Sequence, residues 1–279
     1  MTISLSSSSS RLAVAAYPRL FEILSGFDHL LVAFSGGVDS TCLLASAVVV
    51  LGADRVVALT ATSPSLSRHE LQEAQSLAEA MGVEHRLRES AEMEKPEYAA
   101  NDMDRCYHCK HALFDLCAYE LIMRLKAPER WQVAYGANQD DLEEFRPGMV
   151  AAEERGIRAP LLEAGLGKGM VRELSRGLGL PTAEKAAFAC LSSRFPRLVP
   201  ITAEGLARVE AAEAVLRGEG FYQYRVRYHG ELARVEVGVE ELARWQEEGL
   251  QEKVRVGILA AGFGQVEFDP NGYRAGGAG

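Results

Sequence analysis

The first strong hydrophobic signal is a continuous apolar run, HLLVAF at 29–34, followed at once by Ser-Gly-Gly and then by helical spacing from about Ser40 to Leu51. The alternation repeats. Apolar runs at 55–59, 83–87 and 131–135 read as further strands; 66–81 and 106–125 read as helices, the first with Ser67 and Glu70 spaced as a capping box. Short, wholly apolar strands between amphipathic helices predict a parallel sheet covered on both faces. Near Pro196 the pattern changes. A helix over 202–217 leads to two β-like runs, 224–228 and 232–237, joined at His229-Gly230-Glu231; a further helix and a short strand at 265–268 follow. The fold class is therefore α/β, with a smaller α+β domain after it. Residues 1–15 are expected as an unstructured lead-in, 16–198 as the parallel-sheet domain and 199–275 as the second domain, with the junction near 196–201.

Composition narrows the function. The 279 residues are 48% hydrophobic and 25% charged, an ordinary globular balance. A net charge of −9 argues against a nucleic-acid backbone binder. No apolar run reaches the roughly 18 residues that span a bilayer, so no membrane partner is expected. Five cysteines, an odd number without a signal peptide, fit a reducing cytoplasm better than a disulfide framework.

Ser35-Gly36-Gly37-Val38-Asp39-Ser40 lies between a buried strand and a helix. Two glycines bring backbone N–H groups close to a ligand, two serines add hydroxyls, and the helix N-terminus adds partial positive charge. This makes an anion nest suited to phosphate, and Asp39 is placed to hold a divalent cation that shares it. The spacing is neither a Walker A loop nor a dinucleotide fingerprint. The bland reading is a tight turn that needs small residues.

Cys106 and Cys109 (RCYHCK) lie one helical turn apart, and Cys190 stands in the segment ACLSSRFP. A structural zinc site needs about four ligands, and no second C-x-x-C pair exists. Cys190 reads alternatively as a buried thiol in a linker. Arg225 and Arg227 share one face of a strand, as a phosphate clamp or as a solvated sheet face, with Glu236 on the next strand to neutralise one of them. Lys168 opens a helix and is a candidate for ATP phosphates. Asn138, Asp140 and Asp141 follow a strand end, and Arg146-Pro147-Gly148 reads as a turn.

SGGVDS resembles the signature of PP-loop ATP pyrophosphatases, an adenine nucleotide alpha hydrolase-like fold whose members split ATP between the α- and β-phosphates. Together with DRCYHCK, GANQDD, FRPG, APLLEAGLGK, KAAFACLSSRFP and YRVRYH, it resembles the LarE-type sulfur transferases, from about residue 20 to 275. The resemblance implies an ATP- and Mg2+-dependent enzyme that adenylates a carboxylate of a pyridinium biscarboxylate mononucleotide and converts it to a thiocarboxylate for the nickel-pincer nucleotide. It implies ATP contacts at Ser35, Gly36, Gly37, Asp39, Ser40, Thr60, Ala61 and Lys168. It implies substrate contacts at Ser193, Arg194, Arg225, Arg227 and Glu236, and a cation at Asp39 and Glu213. Family members form trimers or hexamers.

Two sulfur strategies occur in that family. A lone cysteine at the position of Cys190 gives up its own sulfur, or cysteines matching Cys106, Cys109 and Cys190 hold a 4Fe–4S cluster fed by sulfide or a cysteine desulfurase. All three cysteines are present here, which favours the cluster. Ala186 and Arg197-Leu198 depart from the family pattern. Two other functions stay open: an amide-forming PP-loop ligase, which has no use for the three cysteines, and a tRNA thiolation enzyme, which the acidic balance disfavours.

Overall fold

The computed structural model describes residues 3, 8–142, 147–186 and 189–273. In chain order the elements are α1 (Ser8–Ala16), α2 (Pro18–Ser25), β1 (His29–Ala33), α3 (Val38–Leu51), β2 (Val56–Thr62), α4 (Arg68–Ala80), β3 (Glu84–Glu89), α5 (Pro96–Ala99) and α6 (Arg105–Arg124). There follow β4 (Trp131–Tyr135), α7 (Pro147–Glu154), α8 (Pro160–Glu163), α9 (Lys168–Gly177), α10 (Ala203–Gly218), β5 (Tyr224–His229), β6 (Leu232–Val237), α11 (Leu250–Ala260) and β7 (Gln265–Phe268). Helix α1 occupies much of the stretch expected as an unstructured lead-in, because Ala13 and Val14 join the core behind the serine run. Among the described residues no helix is long and apolar enough to cross a membrane.

The chain divides into two compact units. The first holds Met1–Ser63, Arg68–Glu92 and Cys106–Ala187; the second holds Pro64–Ser67, Met93–Arg105 and Phe188–Gly279. The second therefore starts earlier than the expected junction, and it draws in two segments from well upstream.

In the first unit four strands run in the order β3-β2-β1-β4, every neighbouring pair parallel. The pleat sends alternate residues of β1 to opposite faces. Leu30 and Val32 pack with Leu20, Leu24, Leu43, Leu44, Val171 and Leu174 of α2, α3 and α9. Leu31 and Ala33 pack instead with Phe114 and Cys117 of α6 and with Ala151 of α7. Both faces are thus covered, which is why β1 carries no polar position after His29.

Strand β3 is the sheet edge and is charged, a composition that blunts edge pairing. Its alternation puts Arg86 and Arg88 on one face, where both meet the carboxylate of Glu120 on α6, Arg86 Nη1 at 2.8 Å from Oε2 and Arg88 Nε on Oε1. Burial pushes the Glu120 carboxyl up, and Arg88 and Arg86 more than offset this, holding it below its ordinary value of 4.5.

The second unit pairs β5 and β6 as an antiparallel hairpin, with β7 parallel beside β6. Helix α10 starts at a true cap: the Gly205 N–H donates to Thr202 Oγ1 at 3.0 Å. With Leu206, Val209, Ala212 and Leu216 buried, it packs against β5 and α11, whose own buried residues include Val226, Val254 and Ile258. The helices cross closely, since a Cβ on Gly257 would lie 2.7 Å from Val215 Cγ1.

A carboxyl whose pKa is depressed on folding contributes fully above its unfolded value and loses that contribution as the pH falls through the folded one. Glu120→Gln should therefore cost about 2 kcal/mol at neutral pH, between exposed and fully buried pairs, and much less well below pH 4.5. Urea denaturation at both pH values measures this; an equal cost at the two would count against it.

Candidate active site

The glycine loop lies at the carboxyl end of β1. Gly36 has φ +70°, and a Cβ there would stand 3.0 Å from the Ala74 methyl of α4. Gly37 is extended (φ −77°, ψ 169°) and leads into α3. Ser35 Oγ and Ser40 Oγ lie 3.0 Å apart, and the Ser35 N–H donates to Ser40 Oγ at 3.3 Å. Loop N–H groups and serine hydroxyls are thus gathered at the start of α3. Behind it the clearance is minimal: a Cβ on Gly136 would lie 2.7 Å from the Ser40 nitrogen.

Asp39 sits in the first turn of α3, where helix polarity favours an anion. Its Oδ2 pairs with Lys168 Nζ, and its Oδ1 accepts from Asn138 Nδ2 at 3.2 Å. Lys168 opens α9, and its backbone N–H donates to Asp140 Oδ1 at 3.1 Å. Asp141 Oδ2 accepts from the Asn138 N–H at 2.9 Å. The turn after β4 thus ties the starts of α3 and α9 into one charged network. Pro147 and Gly148, expected in a turn, open α7 instead, where Gly148 packs on Lys110; Arg146 lies outside the described residues.

Thr60 does not offer its hydroxyl to a nucleotide. It is 2% exposed and donates to the Phe34 carbonyl at 2.7 Å. Its proton is thereby committed, so His85 Nε2, also at 2.7 Å, is the donor to Thr60 Oγ1. Burial lowers the His85 pKa, consistent with a neutral ring. Ala61 is partly exposed on the same strand.

A contact that the sequence did not signal lies beside the loop. Lys185 Nζ reaches Glu70 Oε2 and Glu73 Oε2, each at 2.7 Å, and stands 3.3 Å from the Gly36 carbonyl. His69, Glu70 and Glu73 form a tight group, their ligand atoms within 4.8 Å of one another. Glu70, placed by the sequence in the first turn of α4, serves as a counter-ion of Lys185.

All five cysteines are thiols, and they fall into two kinds. Cys42 and Cys117 are fully buried, and burial pushes both thiols up to about 12. Cys106 is exposed in the first turn of α6 and Cys109 is half-buried one turn on. The Cys109 thiol donates to Glu92 Oε2 at 3.2 Å; Glu92 is 3% exposed and also accepts from Ser63 Oγ at 2.8 Å.

In the second unit Cys190 is exposed and immediately precedes a 3-10 turn, Leu191–Arg194. The turn is pinned from several sides. The Leu191 N–H donates to the Ser65 carbonyl at 2.8 Å, the Ser192 hydroxyl meets Tyr98 Oη at 2.6 Å, and Arg105 Nη1 donates to the Ser192 carbonyl at 3.0 Å. Arg194 is almost fully buried. Its Nε and Nη2 grip Glu213 at 2.7 and 2.9 Å, and its Nη1 donates to the carbonyls of Ala189 and Cys190 and to Ser193 Oγ. Every nitrogen of Arg194, expected to contact substrate, therefore has an internal partner. Glu213, expected as a cation ligand, gives both its oxygens to Arg194, and Oε1 also accepts the Val226 N–H at 3.1 Å.

Arg225 and Arg227 share a face of β5, and both are buried rather than solvated. Arg227 bonds Glu236 Oε2 through Nε (3.0 Å) and Nη2 (2.8 Å), and its Nη1 donates to the Ser193 carbonyl. Arg225 stacks over Tyr273 and donates to the Tyr224 carbonyl at 2.6 Å. Burial, and then the neighbouring Arg194, lower the Arg225 pKa to about 10. The three arginines face two carboxylates, Glu213 and Glu236, which leaves these five side chains with net positive charge.

A family model described as NAD synthase matches residues 23–136, which takes in the glycine loop and all four strands of the parallel sheet and stops before Cys190. An uncharacterized protein of Synechocystis sp. is 43% identical over 92% of this chain and 94% of its own. The pyridinium-3,5-bisthiocarboxylic acid mononucleotide synthase of Lactiplantibacillus plantarum is 33% identical over 92% of this chain and 91% of its own. The chain belongs to the LarE-type sulfur transferases. As a LarE-type PP-loop protein it is an ATP-dependent enzyme. An uncharacterized protein of Methanocaldococcus jannaschii is 28% identical over 75% of this chain and 77% of its own.

Two substitutions test the architecture of these sites. Gly136→Ala forces a methyl against the backbone at Ser40 and should weaken ATP binding at least tenfold, measured by calorimetry; unchanged affinity would show that the start of α3 can give way. Glu213→Ala leaves Arg194 charged and buried, and should cost about 3–5 kcal/mol in denaturant unfolding. A cost under about 1 kcal/mol would mean that Arg194 finds solvent.

Proposed function

We propose that this enzyme adenylates a carboxylate of pyridinium-3,5-biscarboxylic acid mononucleotide at the glycine loop and converts the acyl adenylate to a thiocarboxylate, for nickel-pincer nucleotide synthesis. The observation that carries this reading is the near full-length similarity to the synthase of L. plantarum, combined with three cysteines that are at least partly accessible while the other two are sealed in the core.

The chemistry assigns roles to the chain's own groups. The nest at 35–40 holds ATP phosphates through N–H groups and serine hydroxyls. Asp39 exchanges Lys168 for the Mg2+ that enters with ATP, and the released ammonium turns to the phosphates. A substrate carboxylate oxygen then attacks the α-phosphorus and pyrophosphate leaves. Sulfide sulfur attacks the acyl carbon, AMP leaves, and the thiocarboxylate remains. Arg225 and Arg227 take the phosphate of the mononucleotide, which neutralises the excess positive charge of their cluster.

This reading gives a 4Fe–4S cluster to Cys106, Cys109 and Cys190, since thiolates are its usual ligands and the other two cysteines are buried. Such a cluster would supply an iron site for inorganic sulfide, delivered as such or released by a thiol reductant from the persulfide of a cysteine desulfurase. The exposure of Cys190 also supports a second reading, in which that residue donates its own sulfur and becomes dehydroalanine.

Asp39→Ala should abolish pyrophosphate release, and release at the wild-type rate would remove the loop assignment. Arg225→Ala or Arg227→Ala should weaken substrate binding by about 1.5–3 kcal/mol with ATP binding unchanged; untouched substrate affinity would place the phosphate elsewhere. For the sulfur source, protein purified without oxygen should be brown, lose iron on substitution of any of the three cysteines, and turn over repeatedly with sulfide. Colourless protein, full activity without Cys106 and Cys109, and dehydroalanine at 190 by mass spectrometry would establish the second reading instead.

A further inference from the structure

Lys185 does something that a surface lysine does not. Its side chain is 14% exposed and its ammonium is held by two carboxylates of α4, Glu70 and Glu73. One ammonium would satisfy one carboxylate, so the arrangement is built to keep it in place rather than merely to neutralise it. Burial pulls its pKa down, and Glu70 and Glu73 more than offset this, raising it above the ordinary lysine value and keeping it charged at neutral pH. Its backbone is fixed as well: Arg172 of α9 donates to the carbonyls of Ala183 and Lys185, at 2.5 and 3.0 Å.

The third partner of this ammonium is the Gly36 carbonyl, at 3.3 Å. That carbonyl belongs to the peptide joining Gly36 to Gly37, two residues without side chains, so the peptide plane can rotate with little steric resistance. In a trans peptide the C=O and N–H point in opposite directions, and the chain contains no cis bond among its described residues. A cation on the Gly36 oxygen therefore decides where the Gly37 N–H points. It points toward Ser35 Oγ, 3.4 Å away, on the nest side of the loop. Were the plane to turn over, a carbonyl oxygen would face the phosphate in place of a donor.

We propose that Lys185 is a positioning residue for ATP: its ammonium holds the Gly36 carbonyl so that the Gly37 N–H stays turned into the phosphate nest. Glu70 and Glu73 act one step further out, by holding Lys185. The inference rests on the loop being the ATP phosphate site, and the experiment separates the two.

ATP binding is measured by calorimetry for Lys185→Met, for the Lys185→Met/Glu70→Gln/Glu73→Gln variant, in which all three charges are removed, and for Gly37→Val, with adenosine as the phosphate-free control. Lys185→Met is expected to weaken ATP roughly 10- to 100-fold, the range of a lost charge-assisted hydrogen bond, and to leave adenosine unchanged. The triple variant, which removes the stranded carboxylates and carries the test if the single variant fails to fold, should show the same loss. Wild-type ATP affinity in the triple variant would reduce Lys185 to a neutraliser of Glu70 and Glu73 and overturn the proposal. So would an equal loss for adenosine, which marks a general structural defect. If Gly37→Val binds ATP as well as the wild type, the loop is not the phosphate site and the underlying reading falls. If Gly37→Val loses ATP while both Lys185 variants keep it, the proposal alone falls.

Discussion

The first unit depends on backbone passing against backbone around the glycine loop. Gly36 presses on Ala74 of α4, and Gly136 presses on the first turn of α3. These clearances bring the ends of three elements close enough for bare N–H groups, rather than long side chains, to line the loop. Such a surface has little freedom to lose when an anion arrives, which is the advantage of preorganisation. It also has little to hold it in shape by itself. The surrounding charges supply that: Asp39 with Lys168 and Asn138 on one side, Lys185 with Glu70 and Glu73 on the other.

The second unit solves the opposite problem. Its Cys190 is exposed, and an exposed residue on an irregular segment is ordinarily mobile. Here the turn after Cys190 is fastened by buried polar groups. Arg194 reaches back to the carbonyls of Ala189 and Cys190 while Glu213 neutralises it from α10, and Arg227 takes the Ser193 carbonyl. Buried ion pairs add little net stability relative to apolar packing, but losing one partner is costly. That asymmetry suits a segment which must hold one shape: few substitutions leave it intact.

Much of this was legible from residue patterns, and the reasons for the misses are physical. The runs at 29–34 and 131–135 read correctly as strands because burial leaves both of them short and mostly apolar. The strand order did not, since periodicity says nothing about which neighbours a strand takes. A sequence shows the charge of Arg194 but not the carboxylate nineteen positions later that pairs with it. Lys185 stands 115 positions from Glu70; no local pattern joins them. The serine run hid a helix because the side chains that anchor it lie just beyond.

The second unit is discontinuous, and that bears on how the chain acquires its shape as it leaves the ribosome. Ser65, Tyr98, Asn101 and Arg105 emerge long before the residues they fasten. Asn101, in a left-handed conformation, donates to the carbonyls of Pro196 and Val199, and the Leu198 N–H returns to the Asn101 carbonyl. Until the late segment is made, their bonds to it cannot form, while the parallel sheet of the first unit can already close. The order of synthesis thereby makes the turn after Cys190 a late part to set, and a truncated product, however well its sheet has folded, would not display a finished Cys190.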